Sequence, residues 1–417
     1  MKLVVVGLGY VGLPLAHEAC IRQMVVVGVD TSSELVEALN AGQSHIDDLS
    51  DSDIKTMLDA GFRATANSAA IADADVIVIC VPTPLSSDGM PDLSAVLSAS
   101  QTVGEHLSRN CLVVLESTTY PGTTEDVVRP ALENASGLEA GLDFGLAYSP
   151  ERTDPGNPEY GLRNTPKVVG GLTDECTSRA VDFYSQLVDT VVPTVGTREA
   201  ELAKLLENTY RHINIALMNE MAVFCHELRI DLWAAIEAAK TKPFGYEAFY
   251  PGPGVGGHCI PIDPNYLSWV VRSVGYRFRF VELAEEISDR MPAYVAQRVQ
   301  DSLNADKKSV NGSVVLLLGV TYKANVSDQR ETPARPLAAH LISMGADVRF
   351  FDPHAGTFTV NGQEIAGQTN LEVALSDADL AVLVQAHDEI VSSGALCRAD
   401  RILDTRGVLS GDNVERL

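Results

Sequence analysis

The tightest constraint on this chain lies in its first thirty residues. A strand-forming run, LVVVG at 3–7, leads straight into Gly7-x-Gly9-x-x-Gly12, and an apolar helical pattern follows. Gly7 permits a tight turn, Gly9 lets a phosphate approach the backbone, and Gly12 lets the helix pack close to the strand. Chance glycines at an ordinary strand-to-helix turn would read the same way. Asp30 tips the balance. It closes a second apolar run, VVVGVD at 25–30, where a carboxylate can accept hydrogen bonds from both hydroxyls of a ribose. That carboxylate would repel a 2′-phosphate, which favours NAD over NADP.

The pattern then repeats. Further strand candidates are DVIVICVP at 75–82, LVVLEST at 112–118, GLAYSPE at 145–151 and KVVGG at 167–171, with helical stretches between them, the rhythm of a parallel sheet. From about Arg198 to Ile236 the apolar spacing predicts one long helix or two closely joined ones. A Gly/Pro-rich loop occupies 244–264, and a helical region at about 281–304 contains Pro292, as a kink or a break. A second αβ pattern follows, with strands at 314–320, 347–353, 379–385 and 401–407. The expected class is α/β: two Rossmann-like αβ domains joined by a long central helical region, divided 1–197, 198–304 and 305–417. The end domains look topologically similar, without a sequence repeat strong enough to prove it.

Bulk properties narrow the function. There are 31 Lys and Arg against 56 Asp and Glu, a net charge of −25. That field repels nucleic acid and anionic lipid, yet an anionic small substrate needs only a few local donors. The seven cysteines are scattered and never form CxxC, so neither a metal site nor a disulfide framework follows, and a reducing, cytoplasmic setting is expected. The opening apolar stretch is broken by glycines, and no later run approaches an apolar 18-mer, so neither a leader nor a membrane span is expected.

Several side chains carry candidate chemistry. Cys259 follows PGPGVGGH at 251–258 and precedes PIDP at 261–264, a loop able to hold a thiol in a backbone-lined cleft; an ordinary turn cysteine is the alternative. A thiol matters because an aldehyde has no hydride to give until something adds to its carbonyl. Adjacent His258 is a candidate base, although neighbouring loop side chains often diverge. Lys204 and Asn208, four apart, share a helix face and could serve an oxyanion, unless that stretch, with Glu201 and Glu207, is simply a solvated surface. Asp263 and Glu151 are carboxylates that could orient water or a lysine, or cap a helix. Thr83 and Thr118 lie just past strand ends, on the ligand-binding edge of such a sheet, or merely stabilise turns there.

Together these residues resemble the nucleotide-sugar 6-dehydrogenases, the family of the UDP-glucose, UDP-N-acetylhexosamine and GDP-mannose dehydrogenases. The resemblance runs over essentially the whole chain, through GLGYVG at 7–12, PTP at 82–84, STTYPGTT at 117–124, ENTYRHINIALMNE at 207–220, PGPGVGGHCIPIDP at 251–264 and YKANVSDQRE at 322–331. It implies an NAD-binding domain, a central dimerisation region and a C-terminal nucleotide-sugar domain. The implied reaction oxidises the C6 alcohol of a UDP-sugar to the acid, with two NADH formed. It also implies Cys259 as nucleophile, Lys204, Asn208 and Asp263 as the cluster handling the oxyanion and water, Glu151 as a catalytic carboxylate, and Thr118 near the nicotinamide. By the same resemblance Gly7, Gly9, Gly12, Asp30, Thr83 and Arg330 bind cofactor. The loop at 249–257 (Phe249, Tyr250, Gly254 and Gly256 among it), Lys323 and Arg406 hold the nucleotide-sugar. No metal is implied, and a homodimer or higher homo-oligomer is.

The segment at 240–269 looks most like the bacterial branch acting on UDP-N-acetylglucosamine and related UDP-N-acetylhexosamines, with UDP-glucose as the alternative. Two departures stand out. Lys240 and Lys242 replace an arginine that many members carry ahead of the Gly-rich loop, and no basic residue follows Asp30 through Leu35. A two-electron β-hydroxyacid dehydrogenase would need neither Cys259 nor the C-terminal αβ domain, and a non-enzymatic NAD sensor would leave residues 204, 208 and 263 without a task.

Overall fold

The computed structural model describes residues 1–417 except 87–89, 155, 158, 258, 259 and 261. The chain divides into two compact units, Met1–Glu207 with Asn265–Tyr276, and Asn208–Pro264 with Arg277–Leu417.

The first unit is built on eight strands: β1 (Lys2–Val6), β2 (Val25–Val29), β3 (Arg63–Thr65), β4 (Val76–Ile79), β5 (Leu112–Leu115), β6 (Gly145–Tyr148), β7 (Lys167–Gly171) and β8 (Val191–Pro193). Their order is β3-β2-β1-β4-β5-β6-β7-β8. The first six follow the doubly wound dinucleotide-binding arrangement. Strands β4, β5 and β6 are buried along their whole length, as strands covered on both faces must be. Val5, Val78 and Val114 fill one face, and Val4, Ile77 and Val113 the other.

One expectation needs correcting. The sheet is not wholly parallel, because β6 and β7 pair antiparallel, with Ala147 opposite Gly171 and Tyr148 opposite Gly170. A parallel neighbour needs a crossover, usually a helix, and the described residues of 149–166 form only turns and irregular backbone. The short strands β3 and β8 escape sequence reading because three residues carry no period.

The second unit holds β9 (Val314–Leu318), β10 (Asp347–Phe351), β13 (Ala366–Gly367), β14 (Leu380–Leu383), β15 (Ile402–Asp404) and β16 (Val414–Arg416), ordered β13-β10-β9-β14-β15-β16 and parallel throughout. A hairpin of β11 (Thr359–Val360) and β12 (Gln363–Glu364) stands beside it in sequence. The four expected strands are present, shorter than their apolar strings at the loop end.

The long helical stretch resolves into two helices, Thr197–Glu227 and Leu232–Lys240. Arg229 ends the first with φ +57, and the Asp231 carboxylate caps the second at the Ala234 amide, 3.0 Å away. The later helix, Arg279–Ala305, runs unbroken through a buried Pro292. An additional helix, Asp263–Ser273, follows the Gly-rich loop.

The likeness between the two αβ domains extends to single hydrogen bonds. After β1, Gly7 (φ +94) donates to Val29 O, and Leu8 N donates to Asp30 Oδ2 at 2.9 Å. After β9, Gly319 (φ +78) donates to Phe351 O, and Val320 N donates to Asp352 Oδ2 at 2.6 Å. The two then diverge. In the first domain a helix begins at once, Gly12–Ile21; in the second it waits until Ala334–Ser343. The intervening loop carries Lys323 and Arg330. It is pinned by buried His387, whose Nδ1 accepts the Asn325 amide at 2.9 Å, leaving Nε2–H to face Asp352 at 3.2 Å.

Candidate active site

The Gly-rich turn behaves as its chemistry predicts. A Cβ on Gly12 would lie 2.0 Å from Gly7 O, so only glycine lets the helix start this close to β1, whereas a Cβ on Gly9 would meet nothing within 4 Å. The backbone at Gly9 therefore faces open space at a helix N-terminus, a ready place for a diphosphate. Asp30 accepts the Leu8 and Ser32 amides, each at 2.9 Å, which fixes its carboxylate beside that turn. These features fit NAD. Thr83 is half-buried beyond β4, and its carbonyl accepts the Tyr266 hydroxyl at 2.5 Å.

Beyond β5, the Lys204 ammonium donates to Thr118 Oγ1 at 2.6 Å. Lys204 is buried, and so is Glu201, which accepts the Gly122 and Thr124 amides at 2.6 and 2.8 Å and the Thr124 hydroxyl at 2.7 Å. The solvated-surface reading of this helix face is thus wrong at both positions; it holds only for Glu207, which is exposed and pairs with Arg152. Helical spacing alone could not tell these faces apart, because the burying partner is the STTYPGTT loop, distant in sequence.

One turn after Lys204 on the same helix, Asn208 Nδ2 donates to Asp263 Oδ2 at 2.5 Å. Asp263 is buried at the start of the Asp263–Ser273 helix. Glu151 is also buried, held by the Arg152 and Thr153 amides at 2.8 and 2.6 Å and by Lys167 at 3.1 Å. Burial works to raise it, but the Lys167 charge and the Thr153 contacts override that and bring it to about 2.

The loop expected to wrap the substrate is held from several sides. Gly252 N donates to Asn219 Oδ1 at 2.9 Å. A Cβ on Gly256 would strike Glu331 O at 2.7 Å, and one on Gly257 (φ +88) the Tyr322 ring at 2.7 Å, so the loop lies directly on the segment containing Lys323. Gly254 takes φ +135. Phe249 packs edge-on against Tyr210, while Tyr250 stacks on Trp233 and donates to Glu237 at 2.6 Å. Arg406 points its guanidinium at the loop, where a Cβ on Gly252 would be 3.1 Å from it. Its Nε donates to Val384 O at 2.7 Å, yet among the described residues no carboxylate forms a salt bridge with it. Burial lowers Arg406 to about 10 against the pull of Asp404, which leaves it a cation at neutral pH. Arg330, by contrast, is exposed and bound by Asp328 at 2.6 Å. The expectations for Cys259 and His258 lie outside the described residues.

Comparison with known proteins decides the family. Residues 1–188 match the NAD binding domain of the UDP-glucose/GDP-mannose dehydrogenase family, residues 198–290 its central domain, and residues 316–411 its UDP binding domain. The chain belongs to the UDP-glucose/GDP-mannose dehydrogenase family. It is 35% identical over 416 residues to a UDP-N-acetyl-D-mannosamine dehydrogenase of Pyrococcus horikoshii, covering 98% of this chain and 96% of that protein. To a UDP-N-acetyl-D-glucosamine 6-dehydrogenase of Pseudomonas aeruginosa it is 34% identical, covering 99% and 98%. The solved structure of the UDP-D-ManNAc dehydrogenase from P. horikoshii superposes with a TM-score of 0.91 at 33% identity, over 100% of this chain and 99% of that one.

As a member of this family the protein is an NAD-dependent nucleotide-sugar dehydrogenase, with two Rossmann-like domains on either side, in sequence, of a helical region. Among the described residues no helix is long and apolar enough to cross a membrane, and no group of His, Cys, Asp or Glu could hold a metal ion.

Sequence reading missed the tasks of Lys167, Glu116, Glu201 and Asn219, each buried and each bonded to a group far away in the chain. Glu201 yields a prediction. Burial raises it to about 7 from 4.5, against the donors that favour its charge. A raised carboxyl contributes stability below pH 4.5 that is lost as the pH climbs through 7. Glu201→Gln should therefore flatten the fall in Tm across that window, an effect of up to about 3 kcal/mol. A variant whose Tm declines between pH 4.5 and 7 as steeply as the parent's would show that Glu201 does not titrate there.

Proposed function

We propose that this dehydrogenase carries a UDP-N-acetylhexosamine, UDP-N-acetylglucosamine first among them, from the C6 alcohol to the uronic acid. UDP-N-acetylmannosamine and UDP-glucose are the competitors. The observation that carries an anionic nucleotide ligand is Arg406, a part-buried cation with no carboxylate salt bridge among the described residues, its guanidinium beside Gly252 of the glycine-rich loop. Support for the acetamido sugar comes from the names of the two relatives, matched along nearly their full length. A UDP-glucose dehydrogenase from Pyrobaculum islandicum, with a TM-score of 0.89 at 27% identity, keeps glucose in contention.

In this reading residues 1–197 bind NAD, which accepts a hydride in each of the two oxidations. Residues 198–304 supply the dimer contact and the catalytic loop, and residues 305–417 bind the nucleotide. Lys204, with Thr118, neutralises the alkoxide and later oxyanions; Asn208 and Asp263 orient water. The Cys259 thiolate adds to the aldehyde carbon, the thiohemiacetal loses a second hydride, and water cleaves the thioester. One alcohol and one water thus give one carboxylate, two NADH and three protons. The homodimer is supported by a stripe of exposed Leu202, Leu206, Tyr210, Leu217 and Phe224 along the Thr197–Glu227 helix. A cytoplasmic setting fits the six described cysteines, all free thiols.

The test is NADH formed per sugar consumed across UDP-N-acetylglucosamine, UDP-N-acetylmannosamine, UDP-N-acetylgalactosamine, UDP-glucose and GDP-mannose. Two NADH per sugar are expected, with kcat/KM favouring a UDP-N-acetylhexosamine. Preference for UDP-glucose would overturn the sugar assignment, and one NADH per sugar would overturn the four-electron course.

A further inference from the structure

The antiparallel pair β6–β7 has a chemical consequence. Its register sets Tyr148 opposite Gly170, and carried three residues further it brings Lys167 opposite Glu151. Were β7 parallel, its first residue would lie at the far edge of the sheet, roughly 13 Å away. Instead the Lys167 ammonium is buried 3.1 Å from Glu151 Oε2 and 3.1 Å from Glu116 Oε1. Glu116 follows β5 directly, one residue before Ser117 and two before Thr118. It also accepts the Tyr184 hydroxyl. Among the described residues, the Thr153 side chain and the Cys80 thiol after β4 also lie near Glu151, and neighbouring Arg152 has its guanidinium paired with Glu207.

Charge at this cluster is one-sided. Burial pushes up Cys80, Tyr184 and Glu116, so the first two stay neutral donors. Burial works to lower Lys167, and Glu116 and Glu151 together override it, so the ammonium is permanent. Among the described residues Lys167 is the cation in a salt bridge with Glu151.

We propose that Lys167 is the positioning residue of the reaction's buried carboxylate: it holds Glu151 ionised and in one orientation, with Glu116 as the anchor on its other side. The proposal rests on the reading, implied by the family resemblance, of Glu151 as a catalytic carboxylate. Two backbone amides fix Oε1 and one ammonium fixes Oε2, so the carboxylate plane is set by three donors on two elements. Removing the ammonium leaves a desolvated carboxyl that protonates at a higher pH.

The experiment is the pH profile of kcat for NADH formation by the full-length enzyme at saturating NAD and saturating preferred UDP-sugar. Lys167→Met should move the acidic limb up by at least one pH unit with little change in sugar KM, and Lys167→Arg should bring it back. A limb that stays in place while kcat falls in both variants would overturn the proposal and leave a purely structural ion pair. If Lys167→Met fails to fold, the same shift is read in Lys167→Met combined with Glu116→Gln, which leaves one unpaired carboxylate fewer. Glu151→Gln separates the two readings. A normal kcat in that variant would remove Glu151 from the chemistry altogether, whereas a slow Glu151→Gln beside an unshifted Lys167→Met would sink only the role of Lys167.

Discussion

Cys259→Ser should lower uronic acid formation by on the order of 10⁶-fold, the loss typical of removing a nucleophile that acts as part of a unit. The reason lies in the second oxidation. The aldehyde holds its remaining hydrogen on a trigonal carbon, and hydride departs only after a nucleophile makes that carbon tetrahedral. A thiol with a pKa near 8.5 supplies an appreciable thiolate at neutral pH, whereas a serine hydroxyl does not. NAD and UDP-sugar affinity should survive, because the groups assigned to them, Asp30, the glycines of the first turn and Arg406, are untouched. Binding measured alongside NADH stoichiometry separates the two effects. Two NADH per sugar at the parent rate from the serine variant would refute the covalent course.

Lys204→Met should cost about 10²–10³-fold in kcat, the loss seen when one preorganised oxyanion donor is removed. The argument is structural. Lys204 is buried, and its ammonium meets Thr118 Oγ1 at 2.6 Å just past the end of β5. A cation taken out of water there acts through a low dielectric and needs no reorganisation as negative charge develops. Methionine preserves the length and packing of the side chain, so Tm should change little while kcat collapses. Lys204→Arg should not restore activity, since a planar guanidinium cannot replace a compact ammonium at one hydroxyl. If Lys204→Met kept more than a tenth of the parent kcat, the lysine would be an anchor for Thr118 and nothing more.

Much of this could be read from the chain alone, for a local reason. The turn after β1 is specified by three glycines and one aspartate within thirty residues, and the structure sets Gly12 against Gly7 O, leaves Gly9 facing open space and fixes Asp30 beside them. The alternation of apolar runs and helices was enough for two αβ domains, because strands buried on both faces leave a continuous hydrophobic signature. The pairing of Asn208 with Asp263 was foreshadowed only as two members of one polar set; the 2.5 Å contact required the loop to fold back on the long helix.

What composition and spacing determined, then, was what neighbours in sequence carry: the longer strand strings, the glycine turn with the carboxylate beside it, and the helical middle. Tertiary structure alone decided which charges are buried. Glu201 and Glu207 are six residues apart on one helix, yet one is enclosed by the Gly122–Thr124 turn and the other lies in solvent. Lys167 opens a strand that looks like any other, and it reaches Glu151 only because β7 runs against β6. Burial and strand direction depend on partners far away along the chain, and no local period records them.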